Sequence, residues 1–350
     1  MNKKMMTLAV AAALAAPTAS HAVKYKLSGQ INRAMTVMTD GHNSDVQFID
    51  NSSSGTRWRM KGSEDMGGGN KVGFNWEWQV QSNKAGGPIG SPDTGVAQDL
   101  RKAEVWFSGS WGKLNFGQGD GAGNGTTEHD LSDTWNVAYS GRTSFGGSVA
   151  WRTTANGTVG GGLTHGDTFS AWDAFSRYDR VRYDSPALGP VTLAVSAGQK
   201  DKYEVAGRWS QGLGGGQISA GLFYGKFAGG GIKNRYGGSI AYLFSFGTNL
   251  LVSGGLNEPS ATGSVKGNTW YFKVGHKWGN NAASIGYGET KDEIDGFKDK
   301  GFNIGFNHNI PKAKVDLYAG YHFNQLDTPS TVASVDDIQA FVIGTKLKFD

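Results

Sequence analysis

Bond-making chemistry needs a few groups held at fixed spacing, and this chain spells out little of it. Its seven histidines form no HExxH pair and no closely spaced ligand set, so no metal centre is expected. The glycine-rich strings around Gly67 and Gly229 lack the GKS or GKT ending and the strand–loop–helix setting of a phosphate loop. A serine–histidine pair assembled across strands stays open, because such partners need not be sequence neighbours. No catalytic residue, cofactor or nucleic-acid partner is expected. What the sequence does offer is charge at alternate positions. Arg57 and Arg59 flank Trp58, Arg180 and Arg182 flank Val181, and Arg101 opens a similar segment. The long stretch 119–177 carries Glu128, Asp130 and Asp133 in a net acidic setting. Opposed charges of this kind do electrostatic work. Set across a water-filled passage, they order water and align dipolar solutes. A pair 8 Å apart interacts at about 2 kcal/mol if the effective dielectric is near 20.

The elements that would position these charges read as β-strands throughout, because the apolar period is 2 rather than 3.6. Val72, Phe74, Trp76, Trp78 and Val80 share one face, and Lys71, Asn75, Glu77 and Gln79 share the other. The pattern recurs through Tyr236–Phe244, Trp270–Val274, Phe302–Phe306 and Val315–Phe323. Short turns fall near 64–69, 109–112, 186–190, 212–216, 245–247, 279–281 and 309–312. Longer connections alternate with them at 39–55, 82–100, 119–177, 227–234, 257–267, 290–298 and 325–335, with a short one at 200–202 in the same series. This alternation predicts an all-β, antiparallel transmembrane barrel of about sixteen strands; Thr143–Thr154 could be read as further strand. A barrel closes because open edges facing hydrocarbon would leave backbone groups unpaired. At that strand number side chains do not fill the centre, which leaves an aqueous lumen. Stretch 119–177 is longer than a surface connection needs, so it is expected to fold into the lumen as its acidic side, with an external extracellular hairpin as the alternative.

Where such a barrel resides follows from the first residues. Lys3 and Lys4 precede an apolar run from Met5 to Ala16, and the segment closes on Ser20-His21-Ala22. That is a secretory signal, residues 1–22, ahead of a barrel domain at 23–350. Twelve residues reach only about 18 Å as a helix, too short to cross a membrane. Removing Lys3 and Lys4 takes the formal charge from +4 to +2. The 55 glycines and the 12% aromatic content would be odd in a soluble domain. They suit a barrel that turns its apolar face outward. Trp76, Trp78, Trp106, Trp111, Trp209, Trp270 and Trp278 are expected in girdles at the membrane interfaces.

Three strings carry a family resemblance. GTRWRMKGSEDMGGG at Gly55–Gly69 resembles the second strand and first periplasmic turn of the Gram-negative general porins. RKAEVWFSGSWGKLNFG at Arg101–Gly117 is similar to their fourth and fifth strands, and VRYDSPALGP at Val181–Pro190 to the strand and turn after the third loop. The resemblance implies a homotrimer of sixteen-stranded barrels in the outer membrane, set in lipid and lipopolysaccharide and inserted by the barrel-assembly machinery. It implies passive passage of small hydrophilic solutes and ions, with the third loop folded inward. Arg57 takes the place of a basic residue of the constriction; Arg59, Arg180 and Arg182 join it by alternation, and Arg101, opening the fourth strand, is a further candidate. Glu128, Asp130 and Asp133 would face them. Two features depart from the pattern: Asp350 follows the terminal aromatic Phe349, and the third loop lacks a short acidic-aromatic glycine string. Gly29, Ala34, Ala340 and Gly344 are expected to pack against neighbouring subunits. A porin preferring one sugar or oxyanion, and a non-conducting adhesin or receptor barrel, are the alternatives.

Overall fold

The structure is a computed structural model and describes residues 23–84, 87–90, 95–157, 159–227, 232–261 and 263–350. The expected signal segment, residues 1–22, and the Gly229 string lie outside these residues. The chain begins with β1 (Lys24–Thr39), β2 (Ser44–Asp50), β3 (Arg57–Gly67), β4 (Asn70–Ser82), β5 (Val96–Gly109) and β6 (Gly112–Asp120). A long loop follows, containing the small hairpin β7 (Ala150–Arg152) and β8 (Val159–Thr164). The wall resumes with β9 (Arg177–Asp184), β10 (Val191–Gly198), β11 (Lys202–Leu213), β12 (Gly216–Phe227), β13 (Ile232–Leu243) and β14 (Thr248–Pro259). It ends with β15 (Gly267–Trp278), β16 (Asn281–Lys291), β17 (Lys298–Ile310), β18 (Val315–Asp327) and β19 (Ile338–Phe349).

Each wall strand pairs antiparallel with its neighbours, and β1 pairs with β19 from Gly29↔Phe349 to Thr39↔Gln339, so the sheet closes. β2 and β3 both pair with β1 and are two halves of one span, interrupted at 51–56. Counting them once and leaving out the loop hairpin gives sixteen spans. The turns and loops alternate as the sequence predicts, with one change: within 39–55 the segment Ser44–Asp50 is strand, and the turn shrinks to residues 40–43. The Thr143–Thr154 stretch contributes to the loop hairpin and not to the wall.

Burial follows the membrane's logic. Leu27, Ile31, Leu222, Val252, Ile285 and Phe341 stand exposed on the outside, while Asn32, Lys273, Thr290, Asn303 and Asn324 are buried on the inside. A lipid-facing charge would cost about 2–4 kcal/mol at mid-membrane, which ties register to this alternation. Trp76, Trp111, Trp270 and Trp278 are exposed, as a girdle requires. Trp106 is not part of it: it alternates with the outward Val105 and shares the inner face with Glu104, and Lys113 lies over its ring. Nor do Ala34, Ala340 and Gly344 face a neighbour. Ala34 and Ala340 are buried on the inside in contact with the long loop, and a β-carbon at Gly344 would collide with the buried Tyr318. At the chain end Asp350 pairs with Lys26 and Lys314, which neutralises the added charge.

Candidate functional site

The long loop is held by side chains that point into the barrel. Val137, Phe145, Val149 and Trp151 pack on Ala34, Met38, Ile49, Ile338, Ala340 and Val342. Further along the wall, Ala122 and Ala174 pack on Ala194, Ala206 and Phe223, and Leu131 on Ala241, Leu251 and Tyr271. Glycines make the seat: a β-carbon at Gly320 would collide with Val137, and one at Gly267 with Trp172. Polar pins add to this. Arg142, fully buried, pairs with Asp299 at 2.6 Å, and Asp299 also accepts from Thr168 at 2.8 Å. Thr134 meets Ser284 at 2.6 Å. The loop therefore lies along the inner wall of β10–β19 and on over β1 and β2, and leaves the inner face of β3–β5 uncovered.

That uncovered face carries the arginines. Glu77, mid-way along β4, is their focus. Arg101 Nε donates to Glu77 Oε1 at 2.7 Å, Arg57 Nη1 lies 3.5 Å from the same oxygen, and Arg59 Nε lies 3.3 Å from Oε2. The guanidiniums are themselves fixed, Arg57 Nε on the Gly55 carbonyl at 2.9 Å and Arg101 Nη1 on Gln79 at 3.0 Å. Arg177, at the start of β9, adds its charge to the same space, where Arg57 and Glu77 feel it.

Two irregularities build this cluster. Glu77 opposes Lys102 and Trp78 opposes Leu100, so Arg101 is an extra residue in β5. This bulge brings the consecutive residues Arg101 and Lys102 both to the inside, where strict alternation would send one to lipid. The second is the break at 51–56. Asn51 caps a short turn by accepting from Ser53 N at 2.9 Å, and its amide donates to the loop carbonyl of Asn136 at 2.7 Å. Trp135 Nε1 donates to the Ser53 carbonyl at 3.1 Å, so break and loop tip meet in the lumen.

The other expected site residues separate into different settings. Arg180 is buried, paired with Glu104, and donates to the carbonyls of Asp120 at 3.0 Å and Gly117 at 2.9 Å. Arg182 forks onto Asp184, with Nη2 at 2.6 Å, and donates to the Gly121 carbonyl at 2.9 Å. Both hold the start of the long loop and have carboxylate partners of their own. Asp130 is taken up by Lys273 at 2.6 Å and Asp133 by Lys277, both lysines of β15, so neither carboxylate is presented to the arginines. Glu128 is different. It is partly exposed, and enclosure by protein together with the neighbouring Asp173 pushes its carboxyl up to about 8, with Arg177 acting in the opposite direction. Sequence reasoning placed Glu77 on the water face of its strand but did not single it out; the two inward arginines of the preceding segment, Arg57 and Arg59, are the signal that marks it.

A family model described as Gram-negative porin matches residues 7–329. No curated protein matches the chain at a significant level. Among solved structures, an anion-selective porin from Comamonas acidovorans is 17% identical, with 94% of this chain and 100% of that chain covered and a TM-score of 0.62. A loop-deletion form of OmpT, an outer membrane protein of Vibrio cholerae, is 12% identical over 94% of this chain and 100% of its own, at a TM-score of 0.61. A triple mutant of the Rhodopseudomonas blastica porin is 14% identical over 93% of this chain and 100% of its own, at a TM-score of 0.58.

Proposed function

The chain belongs to the Gram-negative porin family, forming an outer-membrane channel for small solutes, and we propose that this channel is general in its solutes and favours anions. The observation that carries the anion preference is the convergence of Arg57, Arg59 and Arg101 on the one carboxylate of Glu77. Arg180 and Arg182 have carboxylates of their own, and Glu128 of the loop, which feels the charge of Arg177, carries its proton up to about pH 8. Three guanidiniums facing one carboxylate leave the cluster net positive. That the Comamonas acidovorans porin of similar fold is anion-selective accords with this reading.

Generality in solute is tested by swelling of proteoliposomes in sugars of rising size. A smooth fall of rate with size is expected. A rate that persists for one solute alone would favour a substrate-preferring porin, and no swelling at all would favour a receptor or adhesin barrel.

The channel works as a homotrimer, a reading that the family resemblance and one exposed charge support. Arg33 alternates with Ile31 and Met35 on the outer face of β1, mid-way along the strand. It donates to Ser82 Oγ at 2.6 Å and lies 3.6 Å from Asp50, beside a recess of about 610 Å³ edged by Phe48, Phe306, Leu317 and Ile343. A guanidinium facing hydrocarbon at that depth costs about 2–4 kcal/mol, which a covering neighbour removes. Crosslinking in native membranes is expected to capture trimers; monomers alone would contradict it.

A further inference from the structure

Glu77 has a position that neither its strand nor its burial requires. Its two carboxylate oxygens receive three guanidiniums, and all three belong to the face of the wall that the long loop leaves open. Those guanidiniums remain partly accessible from the lumen, Arg59 the most, with 30% of its side chain exposed. Arg57 and Arg101 are also fixed on Gly55 and Gln79, so the cluster stays organised through contacts that do not involve Glu77. A carboxylate is itself a small planar oxyanion, and guanidiniums recognise carboxylates and phosphates through the same forked donors. Glu77 thus occupies the seat that a passing oxyanion would take.

A channel needs its sites attractive enough to be entered and weak enough to be left. Three arginines without a fixed counter-charge would hold an oxyanion too firmly to release it quickly. We propose that Glu77 is a tethered stand-in for the permeant anion: it competes for the arginine cluster and sets how weakly a small oxyanion such as sulfate or phosphate is held there. Glu77 is then a specificity-determining residue. The inference rests on the anion-favouring reading above, and it adds the substrate class and the group that tunes it.

The test uses the full-length protein folded into planar bilayers, wild type beside Glu77→Gln, which keeps the shape of the side chain and removes its charge. Sulfate is titrated into dilute KCl while chloride current is recorded. Wild-type current is expected to rise in proportion to KCl and to resist sulfate. In Glu77→Gln the current should saturate with KCl, and half-block by sulfate should come at a concentration lower by about tenfold, the factor that a change of about 1.4 kcal/mol in binding produces. Equal saturation and equal sulfate block in the two proteins would overturn the proposal. Where Glu77→Gln gives no heat-modifiable barrel, Glu77→Asp serves, since it withdraws the carboxylate from the arginines by one methylene. It should shift block in the same direction by a smaller factor, and wild-type behaviour there would overturn the proposal equally. Cation preference of the wild-type channel would instead remove the anion-favouring reading, an outcome read from the wild type alone.

Discussion

A wall charge acts on a passing ion to the extent that the wall has not already neutralised it, and this divides the arginines into two kinds. Arg57, Arg59 and Arg101 share one carboxylate, whereas Arg180 and Arg182 each have a partner of their own. Arg57→Ala with Arg101→Ala should move selectivity toward cations while leaving the barrel folded. Arg180→Ala should act on folding instead, because Glu104 is left buried without its guanidinium, keeping only the Asn75 amide at 2.6 Å and the more distant charge of Lys113, a loss of up to about 3–5 kcal/mol. Its urea midpoint for loss of heat-modifiable barrel should fall, and a midpoint equal to wild type would show the pair to be dispensable. Selectivity should also depend on pH. Burial and Asp173 raise the Glu128 pKa, so the carboxyl is neutral below about 8 and gains a negative charge above it. Anion preference should therefore decline as pH rises through that range, and Glu128→Gln should remove this decline. Alternation made Arg57, Arg59 and Arg182 legible in the sequence. The inward aim of Arg101 was not, because a bulge depends on how a strand pairs with its neighbour and not on residue type.

At the level of elements, strands and turns follow from local pattern and the long loop does not. Glycine turns such as Gly67–Gly69, all at positive φ, punctuate alternating runs, and both are visible in a short window of sequence. The loop's length and acidity are equally visible. Its course is fixed by contacts far apart in the chain: Val137 against Gly320, Trp172 against Gly267, Arg142 against Asp299. None of these pairs has a spacing that could announce it. Asp130 and Asp133 show the consequence, since their lysine partners on β15 come from more than a hundred residues away. The Arg142–Asp299 pair offers a test of how the loop is held. Asp299→Asn leaves a fully buried guanidinium without its counter-charge, at a cost of about 3–5 kcal/mol. Single-channel records should then show frequent brief closures as the loop works loose, in a barrel that still migrates as folded. Quiet records would mean that the apolar packing alone secures the loop.

The whole molecule is an inverted protein: apolar side chains outside, polar ones inside, and a sheet whose last strand pairs with its first. Sixteen spans make the lumen too wide for wall side chains to fill, and the loop partly lines it from one side. The net charge of the chain says little about what passes, because exposed charges beyond a Debye length of about 10 Å at 0.1 M salt are screened from the narrow point. Local charge decides, and the central claim is that the arginines of β3 and β5 supply it. The most direct measurement is the zero-current potential of the purified channel across a dilute KCl gradient at neutral pH, for wild type and for Arg57→Ala with Arg101→Ala. The wild type should show the sign of chloride preference, and the double variant, still open, should shift toward potassium. A wild-type potential of potassium sign, or a double variant with unchanged potential, would contradict it.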